Sequence, residues 1–327
     1  MSLGLNERAW KLIENIRRDD IELKSAQKNL ACGTEVFDFG VKVTGGIDAG
    51  LRLAELCLSG LGKVSVSNGN LGELNWPTIC TWTDHPVAAC LASQYAGWQL
   101  GYDGYFGMGS GPMRAASGRE AIFDDIGMRE SSEHAVGVIE SSQLPTDEVC
   151  RDIADKCGVK PENLALVVAP TASLAGTLQV VARSVETALH KMHELGYDVN
   201  NVECGFGTAP LPPVAENDMK GIGWTNDAVL YGANVSLWVT GDDTAIELIG
   251  DRIPAEASSD YGRPFLEIFE NAGRDFYKID PHLFSPASIM IQNLDSGRVF
   301  RYGKLNPGIL EESFQVPELS ESPEASA

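Results

Sequence analysis

Positive charge is scarce in this chain: 25 Lys and Arg stand against 46 Asp and Glu, for a formal net charge of −21. That balance repels a nucleic-acid duplex or an anionic membrane, so neither is an expected partner. Paired cysteine spacing is also missing. Cys32, Cys57, Cys80, Cys90, Cys150, Cys157 and Cys204 contain no C-x-x-C, and an odd number of thiols fits neither a disulfide framework nor a zinc ribbon. There is no P-loop, no dinucleotide fingerprint, no H-E-x-x-H and no G-x-S-x-G elbow, which disfavours the nucleotide, zinc-protease and serine-hydrolase classes. The uncharged run 164–182 is broken by Pro170, Thr171, Ser173, Gly176, Thr177 and Gln179, so it reads as strand, loop and helix start and not as a membrane span. The first twenty residues interleave Glu7, Arg8, Lys11, Glu14, Arg17 and Arg18 with Leu5, Trp10, Leu12, Ile13 and Ile16. This is an amphipathic helix and not a signal peptide, and the expected location is the reducing cytoplasm.

What is present suits a layered α/β protein. A chain of 327 residues with 43% hydrophobic residues has the length for about two domains and the apolar content for their cores. Strand and helix signals alternate along its length. Phe37, Phe39, Val41 and Val43 alternate with polar residues as one strand, with Asp48 as cap of the helix after it. A helix is expected from Pro86 to Leu100, and a glycine-rich loop leads into another at Pro112. Thr146 caps a helix that stops at Gly158, 164–169 reads as an apolar central strand, and a long helix runs from about Leu174 to Leu195. Stretch 205–223 reads as a loop, 228–239 and 288–301 as strands. The expected division is an N-terminal α/β domain over 1–160, with a discontinuous first domain as an alternative, a C-terminal α/β domain over 161–316, and a disordered acidic tail over 317–327.

The helix at 174–195 is the most informative element. At about 100° per residue, Leu178, Val181, Val185, Ala188, Leu189, Met192 and Leu195 form one apolar stripe, and Gln179, Arg183, Glu186, His190 and His193 cluster opposite. Arg183 and Glu186, at i and i+3, read either as a solvated surface ion pair or as a general base with its guanidinium partner. His190 and His193 have the spacing to share a metal ion, which would make a metal-assisted amidohydrolase, but no third ligand is legible and no metal is expected. Gly109, Ser110, Gly111 and Arg114 read either as an anion cradle at a helix start or as a structural turn. Tyr95 and Trp98 are candidates to stack on an aromatic ligand, with a core role as the alternative.

Five blocks then carry a resemblance. They are Cys90-Leu-Ala-Ser-Gln-Tyr-Ala-Gly-Trp98, Met108-Gly-Ser-Gly-Pro-Met-Arg-Ala115, Ala182-Arg-Ser-Val-Glu-Thr-Ala188, Thr225-Asn-Asp-Ala-Val-Leu-Tyr-Gly232 and the stretch 275–287. In order and in register over about 5–316, they resemble the methenyltetrahydromethanopterin cyclohydrolases. The resemblance implies two α/β domains with a large pocket between them, a homotrimer, and reversible hydrolysis of N5,N10-methenyl-tetrahydromethanopterin to the N5-formyl compound. It implies Glu186 and Arg183 as catalytic residues, a pterin coenzyme as substrate, and neither metal nor prosthetic group. Gly109, Ser110, Gly111, Arg114 and Tyr95 are the expected substrate-binding residues. Met113 and Trp224 stand where the family pattern has Ala and Arg, which keeps a non-catalytic pterin-binding relative as the rival reading.

Overall fold

Twelve strands form two six-stranded mixed sheets among the described residues. They are β1 (Ala26–Asn29), β2 (Glu35–Asp38), β3 (Gly62–Leu71), β4 (Leu74–Thr83), β5 (Trp98–Tyr102), β6 (Tyr105–Ser110), β7 (Ala135–Glu140), β8 (Leu164–Ala169), β9 (Val202–Pro210), β10 (Asn234–Val239), β11 (Ser288–Asn293) and β12 (Val299–Gly303). The first sheet has the order β1-β2-β8-β7-β6-β5 and the second β12-β11-β10-β9-β4-β3. The computed structural model describes residues 3–102, 104–275 and 278–316; the expected acidic tail 317–327 lies outside them.

The uninterrupted apolar run of β8 has a simple cause. It pairs in parallel with β2 on one side and β7 on the other, and both its faces are covered. Ala165, Val167 and Ala169 pack with Val136 and Val138 against Leu53 and Cys57, while Leu164, Leu166 and Val168 pack with Ile139 against Val149 and Ile153. Among the described residues the second sheet is covered on one face only. Val64, Ile79, Val235, Leu237, Ile289 and Ile291 point into the core, whereas Trp82 and Phe206, paired across β4 and β9, remain 40% and 37% exposed.

Sheet membership crosses the expected boundary at 160 in both directions: β3 and β4 join the second sheet, and β8 joins the first. The chain leaves the first sheet through the helix Ile47–Cys57, builds the β3–β4 hairpin, and returns. Only pairing between segments far apart in sequence reveals this.

Several local expectations give way to tertiary forces. The strand at Phe37 ends at Asp38, whose carboxylate accepts the backbone N–H groups of Gly40, Val41 and Lys42 at 3.0, 2.7 and 2.9 Å and turns the chain. The helix cap falls at Gly46, not Asp48. The expected helix from Pro86 is a π-helix, Val87–Gln94, and Trp98 lies in β5. Residues 228–232 close the helix Asp218–Gly232, the loop expected over 205–223 holds most of β9, and 288–301 divides into β11 and β12. Thr146 caps its helix and Gly158 ends it in a left-handed conformation, as their residue types require.

The decisive departure is in the long helix, which is two helices, Leu174–Val181 and Ser184–Glu194. No Pro or Gly separates them. Ala182 and Arg183 have ψ near zero, and Gln94 Nε2 donates to the released Ala182 carbonyl at 3.1 Å. Each half follows its own partner. A Cβ on Gly50 would stand 2.9 Å from Leu178 Cβ, and one on Gly207 would stand 2.4 Å from Ser184 Oγ, so the first half lies against Ile47–Cys57 and the second directly on β9. Gly207→Ala should therefore lower stability by about 1–3 kcal/mol, seen as a lower urea midpoint at unchanged m-value.

Candidate active site

Glu186 occupies the first turn of Ser184–Glu194, inside the junction of the two sheets, and is 4% exposed. Among the described residues its carboxylate accepts no hydrogen bond. Burial raises its pKa from 4.5 to about 7, opposed by the charges of Arg183 and then Arg114. A carboxyl poised there can take and return a proton at neutral pH.

Arg183 is 7% exposed and lies in the break between the helices. Its Nη2 donates to Gln179 Oε1 at 2.8 Å and Ser110 Oγ at 3.1 Å, and its Nη1 donates to the Gln94 carbonyl. The i, i+3 pair expected from an unbroken helix does not close: among the described residues, no hydrogen bond or ion pair joins Arg183 to Glu186. Outside helical geometry the guanidinium turns toward β6 and the π-helix, and neutral acceptors hold it there. Its charge still reaches Glu186 through a poorly screened interior. Gln94 is wholly buried, and among the described residues its Oε1 has no donor.

The glycine-rich block has a different task from an anion cradle. Ser110 closes β6 and accepts from Arg183. Gly109 makes room for Met113, because a Cβ there would stand 2.7 Å from Met113 Cε; Gly111 has φ +85°, a turn that residues bearing a Cβ avoid. The helix after it, Met113–Ser117, has five residues. Arg114 is fully buried and committed: Nε and Nη2 bind Glu120 at 2.8 and 2.6 Å, and Nη1 binds the carbonyls of Leu91 and Ser93 at 2.8 and 3.4 Å. It corrects the expectation of a charge free for a ligand, since the bidentate pair with Glu120 uses that charge internally. Arg114 instead braces the segment 91–95 and lies 4.9 Å from the Tyr95 ring centroid.

Tyr95 is half-buried at the end of the π-helix and stacks on His190 with centroids 4.5 Å apart. Burial, then the charge of Glu186, pushes its phenol up to about 12, so it stays protonated. His190 Nε2 and His193 Nδ1 both approach Glu194 Oε1, at 3.9 and 3.6 Å. Burial lowers the pKa of His190 beneath Tyr95, and His193 Nε2 faces Asp125 at 3.1 Å. Among the described residues no three His, Cys, Asp or Glu side chains gather as a metal set. Trp224, one of the two departures, packs against Phe314 with Lys220 4.7 Å from its ring.

Sequence reasoning missed several members. Cys57 Sγ lies 3.6 Å from Ser110 Oγ, and its pKa is raised by burial, which makes it filler and not a nucleophile. Glu140, at the end of β7, accepts from Thr171 Oγ1, and burial raises its pKa while Arg183 opposes. The position of Glu140 at the carboxyl end of a parallel strand is a signal, but it becomes legible only once strand order is known. Two surface cavities, about 390 and 260 Å³, are lined by residues such as Lys11 and Gly60 in one and Asp125 and Tyr197 in the other. Neither includes Glu186, so the large pocket implied by the resemblance is not one of them.

A layered α/β scaffold that buries a near-neutral carboxyl beside a fixed guanidinium is suited to an enzyme that works by proton transfer. The comparisons narrow this class. A family model described as Cyclohydrolase (MCH) matches residues 4–314. A relative from Rhodopirellula baltica is 44% identical over 95% of this chain and 94% of its own. One from Methylobacillus flagellatus is 42% identical over 95% of both chains, and one from Methanococcoides burtonii 41% identical over 96% and 99%. All three are named methenyltetrahydromethanopterin cyclohydrolase. The chain belongs to the MCH cyclohydrolase family.

The raised pKa of Glu186 has a measurable cost to stability. The native state binds this proton more tightly than the unfolded chain, so the contribution is full below pH 4.5 and is lost as pH rises through about 7. Glu186→Gln should stabilise the fold at pH 8 by on the order of 2 kcal/mol and leave it unchanged at pH 4, as read from urea midpoints at both pH values.

Proposed function

We propose that this protein catalyses the reversible hydrolysis of N5,N10-methenyl-tetrahydromethanopterin to the N5-formyl compound, with Glu186 as general base and acid. The observation that carries the reading is the buried, unbonded Glu186 carboxyl with its pKa near 7. The family and the shared name of its relatives supply the substrate.

The bridging carbon of the substrate is an amidinium-like cation and already electrophilic, so the protein needs to position water and manage protons more than to create a strong nucleophile. Glu186 takes a proton as water adds to that carbon. As the carbon–nitrogen bond breaks, one proton passes to the departing nitrogen and one to solvent. General acid–base assistance of this kind contributes about 10²- to 10⁴-fold. The Nη groups of Arg183 are occupied by Gln94, Ser110 and Gln179, so its part is the charge that limits the rise of the Glu186 pKa. Tyr95, near Glu186, has His190 stacked on its ring and Arg114 4.9 Å from its centroid, and gives the pterin site an aromatic wall rather than an open stacking face.

Glu186→Gln should cut kcat for hydrolysis by about 10²- to 10⁴-fold with KM within a few-fold. In the wild-type protein kcat should fall below pH 7, where Glu186 is protonated. Loss of the methenyl absorbance with and without chelator checks both points; sensitivity to chelator would instead favour the metal reading, and binding without turnover the non-catalytic one.

We also infer a homotrimer acting in the cytoplasm. The assembly follows the family resemblance, and the exposed face of the second sheet that carries Trp82 and Phe206 supports burial against further copies of the chain. No helix among the described residues is long and apolar enough to cross a membrane. The double variant Trp82→Glu, Phe206→Glu should shift light-scattering mass from about three chains to one; an unchanged mass removes this face from the assembly.

A further inference from the structure

Register places one more carboxylate beside the reacting pair. Ser110 on β6 faces Val138 on β7, and Met108 faces Glu140. Side chains alternate, so Ser110, Val138 and Glu140 share one face of the first sheet, with Glu140 diagonal to Ser110 at about 7–8 Å. Ser110 is the residue that anchors the Arg183 guanidinium. Arg183 thus stands between two carboxylates, Glu186 on the helix side and Glu140 on the sheet side, and its charge bears on both.

The neighbouring carboxylates differ in what they have left to bind. Asp38 receives three backbone N–H groups, Glu120 is taken by Arg114, and Asp227 receives the Phe265 N–H and the Ser313 hydroxyl. Glu140 is held at one oxygen only, by Thr171 Oγ1, and among the described residues its Oε2 has no partner. It is partly exposed, at the turn where the chain passes from β8 into Leu174–Val181. That turn is fastened to the start of Asp218–Gly232 by Asp218 Oδ1, which accepts the Ala172 N–H at 2.8 Å. The site that hydrolyses a cation therefore has a carboxylate, oriented by a threonine and open on one side, where its two sheets meet.

A pterin carries a 2-amino group and an adjacent N3–H on one edge of its pyrimidine ring. These parallel donors match the two oxygens of a carboxylate in the same fork that a guanidinium presents. We propose that Glu140, aimed by Thr171, recognises the 2-amino/N3–H edge of the substrate's pterin and so sets the ring against Glu186. This rests on the function proposed above. Asp218 stands beside Glu140 and, like it, is held among the described residues at one oxygen only, by the Ala172 N–H, which makes it the control carboxylate for the test.

The test is kcat and KM for methenyl-tetrahydromethanopterin hydrolysis at pH 8 by the full chain and its Glu140→Gln, Glu140→Asp, Thr171→Val and Asp218→Asn variants, each checked for folding by circular dichroism. Glu140→Gln should raise KM about 10- to 100-fold, with kcat within about three-fold, because the contact is equally present in ground and transition states. Thr171→Val should raise KM less. If Glu140→Gln does not fold, Glu140→Asp decides the matter by the same split, since it keeps the charge and withdraws the carboxylate by one methylene. An unchanged KM in the folded variant overturns the proposal. So does a fall in kcat alone with a shifted acidic limb of the pH profile, which would mean that Glu140 acts through Arg183, and so does a KM rise in Asp218→Asn without one in Glu140→Gln. Absence of turnover by the wild-type protein would overturn the hydrolase reading and this one together, whereas normal wild-type turnover with an unaltered Glu140→Gln variant sinks only the pterin contact.

Discussion

The burial of one guanidinium with neutral partners organises this protein. Arg183 brings a full positive charge into the junction of two sheets, and the atoms that receive its Nη hydrogens belong to Gln94, Ser110, Gln179 and, at 3.8 Å, Cys57, none of which is charged. A buried cation is tolerable only where hydrogen bonds replace its water and opposite charge lies within reach. Glu186 and Glu140 supply that charge without touching it, and this is the source of their behaviour. Each is desolvated enough to rise, and each is restrained by the same positive centre. Direct pairing would have pinned Glu186 as a permanent anion; separation leaves it able to exchange a proton near neutral pH.

The backbone around this charge is shaped to keep it in place. The helix break at Ala182 and Arg183 frees a carbonyl for Gln94, and the π-helix gives the chain the offset that brings Gln94 and Tyr95 to the site. Arg114 holds the far end of that segment by its carbonyls, while Glu120 neutralises Arg114 from the other side. Two buried arginines thus divide the work: Arg183 exerts the larger restraint on the proton affinity of Glu186, and Arg114, whose charge bears on it less, sets the geometry of the segment 91–95. Met113 and Trp224, unlike the residues of the family pattern, are both packing elements here. The first fills the space over Gly109, and the second closes on Phe314.

The acidic balance of the whole chain agrees with this site. A cationic substrate approaches a surface of net charge −21 and a junction with more carboxylates than guanidinium groups free to oppose them. Once the bridge has opened, the formyl product has lost that charge, so the field favours capture of the methenyl form more than retention of the product.

Sequence alone determined what contiguous residues can encode. The capped helix from Thr146 to Gly158 and the buried strand at 164–169 follow from side-chain chemistry at neighbouring positions, and five ordered blocks identify the family. The spacing of Arg183 and Glu186 singled the pair out but left a surface ion pair and a general base both open, and an unbroken helix gave the wrong contact between them. Tertiary structure alone decided that the helix breaks, that β3 and β4 leave the first sheet, that the charge of Arg114 is spent inside, and that Glu140 arrives diagonal to Ser110. The physical reason is range. Capping and periodicity act within one or two turns of chain, whereas strand register, desolvation and the partner of a buried charge depend on atoms tens to more than a hundred residues away, which meet only when the sheets close on each other.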